Sequence, residues 1–303
     1  MVDQNSQGIA GNAAVCRICP HHCRLQPGDT GKCGARSNRQ GRVASGSYGV
    51  ITALALDPIE KKPLYHFYPG SRILSAGSFG CNLRCPFCQN SHIAMAGAGA
   101  FNGTGAGDMQ PGKPGQRAAA DRIKPEELVA AALAEKNRGN IGLAYTYNEP
   151  LVGYEFVLDC AKLATAAGLK NVLVSNGYVC RQPLEELLPY IQAMNIDLKG
   201  FTPEYYAKLG GDLETVKATI KRAAAACHVE VTTLIVPGEN DSEAEMMAMA
   251  AWLASIDKAI PYHVSRFFPH WQMKDRGPTP VEKVYALAAT ARRYLTYVYE
   301  GNC

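Results

Sequence analysis

Cysteines are the residues of this sequence most able to do chemistry, and seven of the eleven stand in two short groups. The first group is Cys16, Cys19, Cys23 and Cys33, and the second is Cys81, Cys85 and Cys88. The remaining four are scattered, and we expect them to be small buried side chains. The amino-terminal segment lacks the parts of a secretory signal, so we expect the thiols to stay reduced. Closely spaced cysteines in a reducing compartment are typical of metal sites. The sequence therefore predicts metal binding, in the cytoplasm, rather than disulfides.

The second group lies in the segment SFGCNLRCPFCQN and has the spacing Cys-x3-Cys-x2-Cys. Three thiolates in so short a loop can bind three irons of a [4Fe–4S] cluster and leave the fourth iron free for a small molecule. Zinc would need a fourth ligand, for which His92 is available, but structural zinc usually uses two separated cysteine pairs. The spacing therefore favours a [4Fe–4S] cluster with one open iron on Cys81, Cys85 and Cys88.

The first group has the spacing Cys-x2-Cys-x3-Cys-x9-Cys and can supply four thiolates. Its widening gaps differ from the paired knuckles of a zinc ribbon and suit a second [4Fe–4S] cluster. His21 and His22 lie inside the group, however, and can serve as zinc ligands. The sequence predicts a second metal site here and leaves its metal, [4Fe–4S] or zinc, open.

Predicted strands and helices alternate along the part of the chain that must position these groups. Short β-rich runs are followed by amphipathic Ala- and Leu-rich stretches. This pattern predicts a parallel α/β sheet or barrel. We expect strands at 72–77, 141–146, 171–175, 193–198, 229–236 and 261–267. We expect helices at 125–137, 153–167, 183–190, 213–226, 243–255 and 281–294. Six strands predict a partial (β/α)6 barrel, in which the carboxyl ends of the strands carry the chemistry.

Two domains are predicted, a Cys-rich extension over 1–70 and a partial-barrel core with a carboxyl-terminal helix over 71–303. The stretch 95–116 is rich in Gly, Ala and Pro, which predicts a flexible loop. The stretch 57–70 is dense in charge and leads from the first metal motif to the first barrel strand. We expect it to face substrate or cofactor, with Lys61 and His66 as participants.

The Cys-x3-Cys-x2-Cys loop resembles the signature of the radical S-adenosylmethionine (SAM) superfamily. Within it, the sequence is similar to the radical SAM member of the AmmeMemoRadiSam set, which is itself similar to pyruvate formate-lyase activating enzymes. The segments that carry this resemblance are DPIEKKPLYHFYPG, AYTYNEP, VSNGY, NIDLKGF, VPGEND, HVSRFFP and YVYEGN. The resemblance implies a cluster whose open iron chelates SAM. One electron then cleaves SAM to methionine and a 5′-deoxyadenosyl radical, which abstracts a hydrogen atom from the substrate.

The resemblance also implies which residues hold SAM. Asn148 and Glu149 align with a Gly-Gly-Glu-Pro turn that meets the SAM amino group, although this chain has Tyr147 and Asn148 in place of the two glycines. A carboxylate at the start of a helix is the alternative role for Glu149. Ser175 and Asn176 align with a polar turn that meets ribose or methionine, and an ordinary turn is the alternative.

Asp197 and Lys199 lie two residues apart in a strand, so their side chains point to the same face. Lys199 is predicted to bind the SAM carboxylate and to take part in catalysis, and Asp197 to meet a cation or a ribose hydroxyl. A structural Asp–Lys pair is the alternative. The resemblance places His263 near the adenine, with a satisfied core histidine as the other possibility.

Composition and net charge argue against several other classes of protein. The chain has 303 residues, 47% of them hydrophobic, which excludes a disordered protein. No apolar run reaches the roughly 18 residues of a membrane helix, and a net charge of +4 does not favour nucleic acid. We expect an electron donor such as flavodoxin or ferredoxin as one partner. The predicted substrate is a protein or peptide, as for glycyl radical enzyme activases, with a small molecule as the alternative and a non-catalytic electron carrier as the third possibility.

Overall fold

The computed structural model describes residues 12–97 and 121–303 of the chain. The strands are β1 (Ala14–Val15), β2 (Arg24–Leu25), β3 (Arg36–Arg39), β4 (Arg42–Ser45), β5 (Val50–Ile51), β6 (Ala53–Pro58), β7 (Arg72–Gly77), β8 (Asp121–Arg122), β9 (Asn140–Tyr145), β10 (Lys170–Ser175), β11 (Ala193–Asp197), β12 (His228–Ile235), β13 (Tyr262–Arg266) and β14 (Val298–Gly301). The helices are α1 (Ser91–Ala94), α2 (Pro125–Ala134), α3 (Tyr154–Ala166), α4 (Arg181–Leu187), α5 (Pro203–Leu209), α6 (Leu213–Ala224), α7 (Glu243–Ile256) and α8 (Val281–Ala291). The predicted flexible loop 95–116 lies almost wholly outside the described residues.

One sheet of eight strands organises the molecule, in the order β14-β13-β12-β11-β10-β9-β7-β6. Neighbouring strands run parallel from β7 to β14, and β6 pairs antiparallel with β7 at the edge. Neighbours in the sheet follow one another in the chain with helices between most of them, which is the winding of a partial α/β barrel. The predicted fold class is confirmed, and the six predicted strands agree with the observed ones to within one residue at each end. β14 is a seventh parallel strand that the sequence analysis did not include.

The two faces of the sheet are both buried, which explains the continuous apolar runs of its strands. Leu143 and Leu173 pack toward the helices in the main core, whereas the alternate residues Ala144 and Val172 pack on the opposite face. The opposite face is filled by residues of the segment that follows β6, among them Leu64. This filling leaves the carboxyl ends of the strands as the place where polar side chains collect.

The part of the chain before β7 is built from short antiparallel pairs. β1 pairs with β2, β3 with β4, and β5 with β8. β6 belongs to the central sheet, so its hydrogen bonds to β7 cross the predicted boundary at residue 70. The division into an extension and a core stays a prediction. Within the described parts of the chain, no helix combines the length and the apolar character needed to cross a membrane.

Candidate functional site

The loop after β7 carries Cys81, Cys85 and Cys88 at the carboxyl end of that strand. Cys85 is buried and the other two thiols are partly buried. The Cys88 amide donates to the Cys85 carbonyl oxygen at 3.1 Å, which makes a tight turn between these two residues. Gly80 has φ +90°, and a Cβ there would lie 2.7 Å from the Cys33 carbonyl oxygen. Glycine is therefore required where the loop passes the amino-terminal cysteine group.

Asn148 holds this loop in place through its side-chain amide. Its Oδ1 accepts from the Ser78 amide at 2.9 Å, and its Nδ2 donates to the Gly80 carbonyl oxygen at 3.0 Å. These bonds fix the entry to the cysteine loop from the next strand of the sheet. The visible contacts of Asn148 position the loop, and its contact with SAM stays a prediction.

The three thiols of the loop fit a cluster better than a single ion. Burial raises the pKa of each thiol, to about 11 for Cys85. Such thiols become thiolates when a metal replaces the proton. Among the described residues, no three Cys, His, Asp or Glu side chains stand where they would hold one metal ion. Three free thiols in one loop are a donor set that fits three irons of a [4Fe–4S] cluster.

Glu149 joins the ends of β9 and β10. Its Oε1 accepts from Ser175 Oγ at 2.9 Å, and its Oε2 accepts from the Asn176 amide at 2.8 Å. Oε1 also accepts from the Leu151 amide at 3.1 Å, so the carboxylate caps a helical turn as the alternative prediction had it. Three of the predicted SAM-binding residues therefore form one hydrogen-bonded group.

This group borders the cysteine loop and carries an uncompensated charge. Asn176 Nδ2 donates to Cys81 Sγ at 3.6 Å, and the Glu149 carboxylate, after burial, raises the pKa of that thiol. Burial raises the pKa of Glu149 itself to about 7, against the hydrogen bonds that it accepts. Within the described part of the chain, no basic side chain pairs with this carboxylate, which is 3% exposed. The carboxylate is therefore held by hydrogen bonds without a cationic partner, and its contact with the SAM ammonium stays a prediction.

Lys199 and Asp197 form the oppositely charged side of the site. Lys199 Nζ lies 2.8 Å from Asp197 Oδ2, which confirms that the two side chains share a face. Burial acts to lower the pKa of Lys199, but the Asp197 carboxylate and the Cys85 and Cys88 thiolates raise it, so the ammonium stays charged. Lys199 thus forms the ion pair with Asp197 that was the alternative prediction, and it also lies beside the cysteine loop. Asn240 Nδ2 donates to the Lys199 carbonyl oxygen at 2.7 Å and fixes the backbone.

His263 lies in a second polar cluster, as a satisfied core histidine. Its Nε2 contacts Glu230 Oε2 at 2.6 Å, and its ring stacks on Tyr299. Glu230 also accepts from the amides of Tyr65 and His66, at 2.9 and 2.7 Å. His66 is thereby tied to the cluster by its backbone. A contact between His263 and adenine stays a prediction.

The charged segment after β6 buries Lys62 and leaves Lys61, the lysine singled out from the sequence, exposed. Lys62 Nζ donates to Asp57 Oδ2 at 2.8 Å and lies 4.7 Å above the centre of the Tyr147 ring. Tyr147 Oη also donates to Asp57 Oδ2, at 2.6 Å. Sequence reasoning missed this group, since the contact of Tyr147 with Asp57 spans 90 residues of chain.

Tyr147 itself has φ +72°, a left-handed backbone that costs a tyrosine about 1–2 kcal/mol. The resemblance drawn from the sequence implies a glycine at this position, which agrees with the positive φ observed. The phenol and ring contacts with Asp57 and Lys62 offset the strain. The turn therefore holds a tyrosine in a backbone conformation that glycine adopts more readily.

The amino-terminal cysteines also come together. Cys16, Cys19, Cys23 and Cys33 all line one cavity, and all four are free thiols. Cys180, one of the scattered cysteines, lies beside this region, with its Sγ 4.0 Å from His22 Nε2. The structure therefore brings the predicted second site together as a set.

The chain is similar to known proteins in sequence and in fold. Residues 77–251 match the family model of the radical SAM superfamily. The uncharacterized protein MJ0808 of Methanocaldococcus jannaschii is 38% identical over 96% of this chain and 82% of its own length. The pyruvate formate-lyase-activating enzyme of Listeria monocytogenes is 23% identical over 69% of this chain and 84% of its own length.

Among solved structures, the fold is similar to that of a radical SAM methyltransferase from Sphaerobacter thermophilus. The TM-score is 0.53 at 15% identity, over 77% of this chain and 67% of that one. The family match covers more than half of the chain and includes the cysteine loop and the ends of β9, β10 and β11. This chain belongs to the radical SAM superfamily and is an enzyme that uses a [4Fe–4S] cluster and SAM.

Proposed function

We propose that this enzyme abstracts a hydrogen atom from a protein or peptide, in the manner of the glycyl radical enzyme activases. The observation that carries the site assignment is the buried Glu149 carboxylate without a cation, beside Cys81, with the Lys199 ammonium on the other side of the same loop. The methionine end of SAM carries one ammonium and one carboxylate. A site with one buried anion and one held cation is complementary to it.

In this proposal each side chain has a defined task. Glu149 accepts the SAM ammonium, and its other hydrogen bonds, from Ser175 and Asn176, keep the carboxylate oriented. Lys199 binds the SAM carboxylate, while Asp197 holds the ammonium of Lys199 in position. Cys81, Cys85 and Cys88 hold three irons of the cluster.

A [4Fe–4S] cluster held by these three cysteines would supply the electron for reductive cleavage of SAM, and so the radical chemistry that removes a hydrogen atom from the substrate. Around the loop, the buried side chains of Phe79, Leu83 and Phe87 exclude water. Dry surroundings protect a primary radical from side reactions. The reaction needs a low-potential one-electron donor, for which we propose flavodoxin or ferredoxin in the cytoplasm.

The similarity to pyruvate formate-lyase-activating enzymes supports a macromolecular substrate. A direct test divides an anaerobic cell extract by ultrafiltration into retained macromolecules and a small-molecule filtrate. Each fraction is added to reconstituted enzyme with SAM and reductant, and released 5′-deoxyadenosine is measured. We expect the retained fraction to stimulate release and protease treatment to abolish the stimulation. Stimulation by the filtrate alone would assign the enzyme to a small molecule.

A further inference from the structure

The four amino-terminal cysteines line one cavity together with Arg36, in a part of the chain outside the matched family region. We propose that this cavity holds a second [4Fe–4S] cluster, bound by Cys16, Cys19, Cys23 and Cys33 and therefore without an open iron. On binding, each thiol releases one proton and its sulfur bonds to one iron. These four ligands are distinct from the three cysteines of the SAM-binding loop.

The set is buried and complete. Cys16, Cys19 and Cys33 are 5%, 8% and 7% exposed, and Cys23 is partly buried. Four thiols are one for each iron of a cluster. Buried thiols that line a shared cavity without forming a disulfide are the usual surroundings of a metal centre in a reduced protein.

The spacing of the thiols favours a cluster over zinc. A tetrahedral zinc site brings its four sulfurs to about 2.3 Å from one point. Within the described residues no three potential ligands meet in that way, although all four thiols line the cavity. The SAM-site thiols Cys81, Cys85 and Cys88 behave in the same manner, and their family binds a [4Fe–4S] cluster.

Arg36 gives an independent sign of an acceptor in the cavity. Its two Nη atoms are held by Glu155 at 2.8 and 2.6 Å, and Nη1 also donates to the Val152 carbonyl oxygen. Its Nε is buried without a well-aligned hydrogen-bond partner, although the guanidinium interacts with the Cys16 thiol, and the residue as a whole is 4% exposed. An unsatisfied buried donor costs about 1–3 kcal/mol. A cluster offers sulfur acceptors, to which hydrogen bonds of this kind are made.

The two metal sites share a boundary. The Cys81 amide donates to the Cys33 carbonyl oxygen at 3.2 Å, so a ligand of one site is hydrogen bonded to a ligand of the other. Asn82, next in the chain, lines the cavity and accepts at Oδ1 from Asn176 Nδ2 at 2.9 Å. The second cluster would therefore lie directly beside the first.

The proposal is tested by metal analysis of the full chain, purified without oxygen and reconstituted with iron and sulfide. We expect about eight iron atoms per chain and no stoichiometric zinc. The Cys16→Ala/Cys19→Ala variant should keep about four irons and the SAM-dependent change in the EPR signal of the reduced cluster. The Cys81→Ala/Cys85→Ala variant should also keep about four irons but lose that change.

Two controls make the result specific to these thiols. Cys303→Ala removes an exposed thiol and should leave the iron content at the wild-type level. Cys180→Ala tests the neighbouring thiol, and a loss of about four irons there would make Cys180 a ligand and overturn the assigned set. If the wild type contains about one zinc and about four irons, the four amino-terminal cysteines bind zinc and not a second cluster. Iron content unchanged in the Cys16→Ala/Cys19→Ala variant would remove the site.

Discussion

Lys199 is the residue that we propose to bind the SAM carboxylate, and its contribution can be measured directly. Replacing it with alanine removes the cation beside the cysteine loop, and hydrogen bonds to charged groups are worth about 1.5–3 kcal/mol. We therefore expect Lys199→Ala to weaken SAM binding by about 10- to 100-fold at an unchanged iron content. Lys199→Arg should recover part of the affinity.

The measurement is equilibrium binding of SAM to the reconstituted enzyme, with 5′-deoxyadenosine yield as a second readout. Lys208→Ala is the matched control, because Lys208 forms an exposed ion pair with Glu239 away from the loop. An unchanged affinity in Lys199→Ala would leave Lys199 as the structural partner of Asp197 and no more.

At this scale, the sequence predicted the pairs that local geometry determines. Asp197 and Lys199 share a face because strand side chains alternate, and they form the pair that was the alternative prediction for them. Long-range partners were out of reach. The bond of Tyr147 to Asp57, the burial of Lys62 and the buried Nε of Arg36 depend on how distant segments pack, which no spacing encodes.

Among the elements, the contact between the two cysteine loops gives the sharpest prediction. A Cβ on Gly80 would lie 2.7 Å from the Cys33 carbonyl oxygen and 2.8 Å from Ala35 Cβ. Gly80→Ala must push the loops apart, so we expect a lower melting temperature and loss of iron. Gly70→Ala is the control, because Gly70 also has a positive φ but has no atom within 4 Å of the added carbon.

Melting by circular dichroism and iron analysis of both variants make this comparison. Gly70→Ala should show only the backbone strain, about 1 kcal/mol, and keep its iron. If the two substitutions lower the melting temperature and the iron content equally, the close approach of the two loops contributes nothing to stability or to iron binding.

Glu230 ties β12 to β13 and to the segment after β6, and this tie is pH-dependent. Burial acts to raise its pKa, but hydrogen bonds from His228, His263 and the amides of Tyr65 and His66 lower it to about 2. The folded pKa lies below the ordinary value, so the stabilisation is complete above about pH 4.5 and is lost as the pH falls toward 2. It amounts to about 3 kcal/mol.

Glu230→Gln should therefore melt at a lower temperature than the wild type at neutral pH. This gap, the difference in melting temperature between the two proteins, should narrow below pH 4.5. Thermal unfolding of both proteins, at matched iron content, measures it. Glu204→Gln, at an exposed position, should show no such gap. A gap that stays constant down to pH 2.5 would remove Glu230 from the pH dependence of stability.

Periodicity predicted the larger elements well and the short ones poorly. The six expected strands are long, apolar and buried on both faces, so their composition marks them. β14 has only four residues, and α5 has seven, which begin after the capping Thr202. Elements this short take their structure from the sheet and loops they pack against.

For the molecule as a whole, the order of the sheet explains why distant residues form one site. Strands β7, β9, β10 and β11 are neighbours in the sheet and follow one another in this order along the chain, so the residues that follow each of them meet at one edge. Cys81, Glu149, Asn176 and Lys199 are brought together in this way. The family resemblance supplied the roles of these residues, and the structure supplied their contacts.

The central assignment is reductive cleavage of SAM by the cluster on Cys81, Cys85 and Cys88. The most direct measurement is 5′-deoxyadenosine, quantified by chromatography after anaerobic incubation of reconstituted enzyme with dithionite and SAM. Radical SAM chemistry predicts its release by the wild type, and none above background from Cys81→Ala, Cys85→Ala or Cys88→Ala. Wild-type release from any of these variants, or no release from the wild type with any reductant, would contradict the assignment.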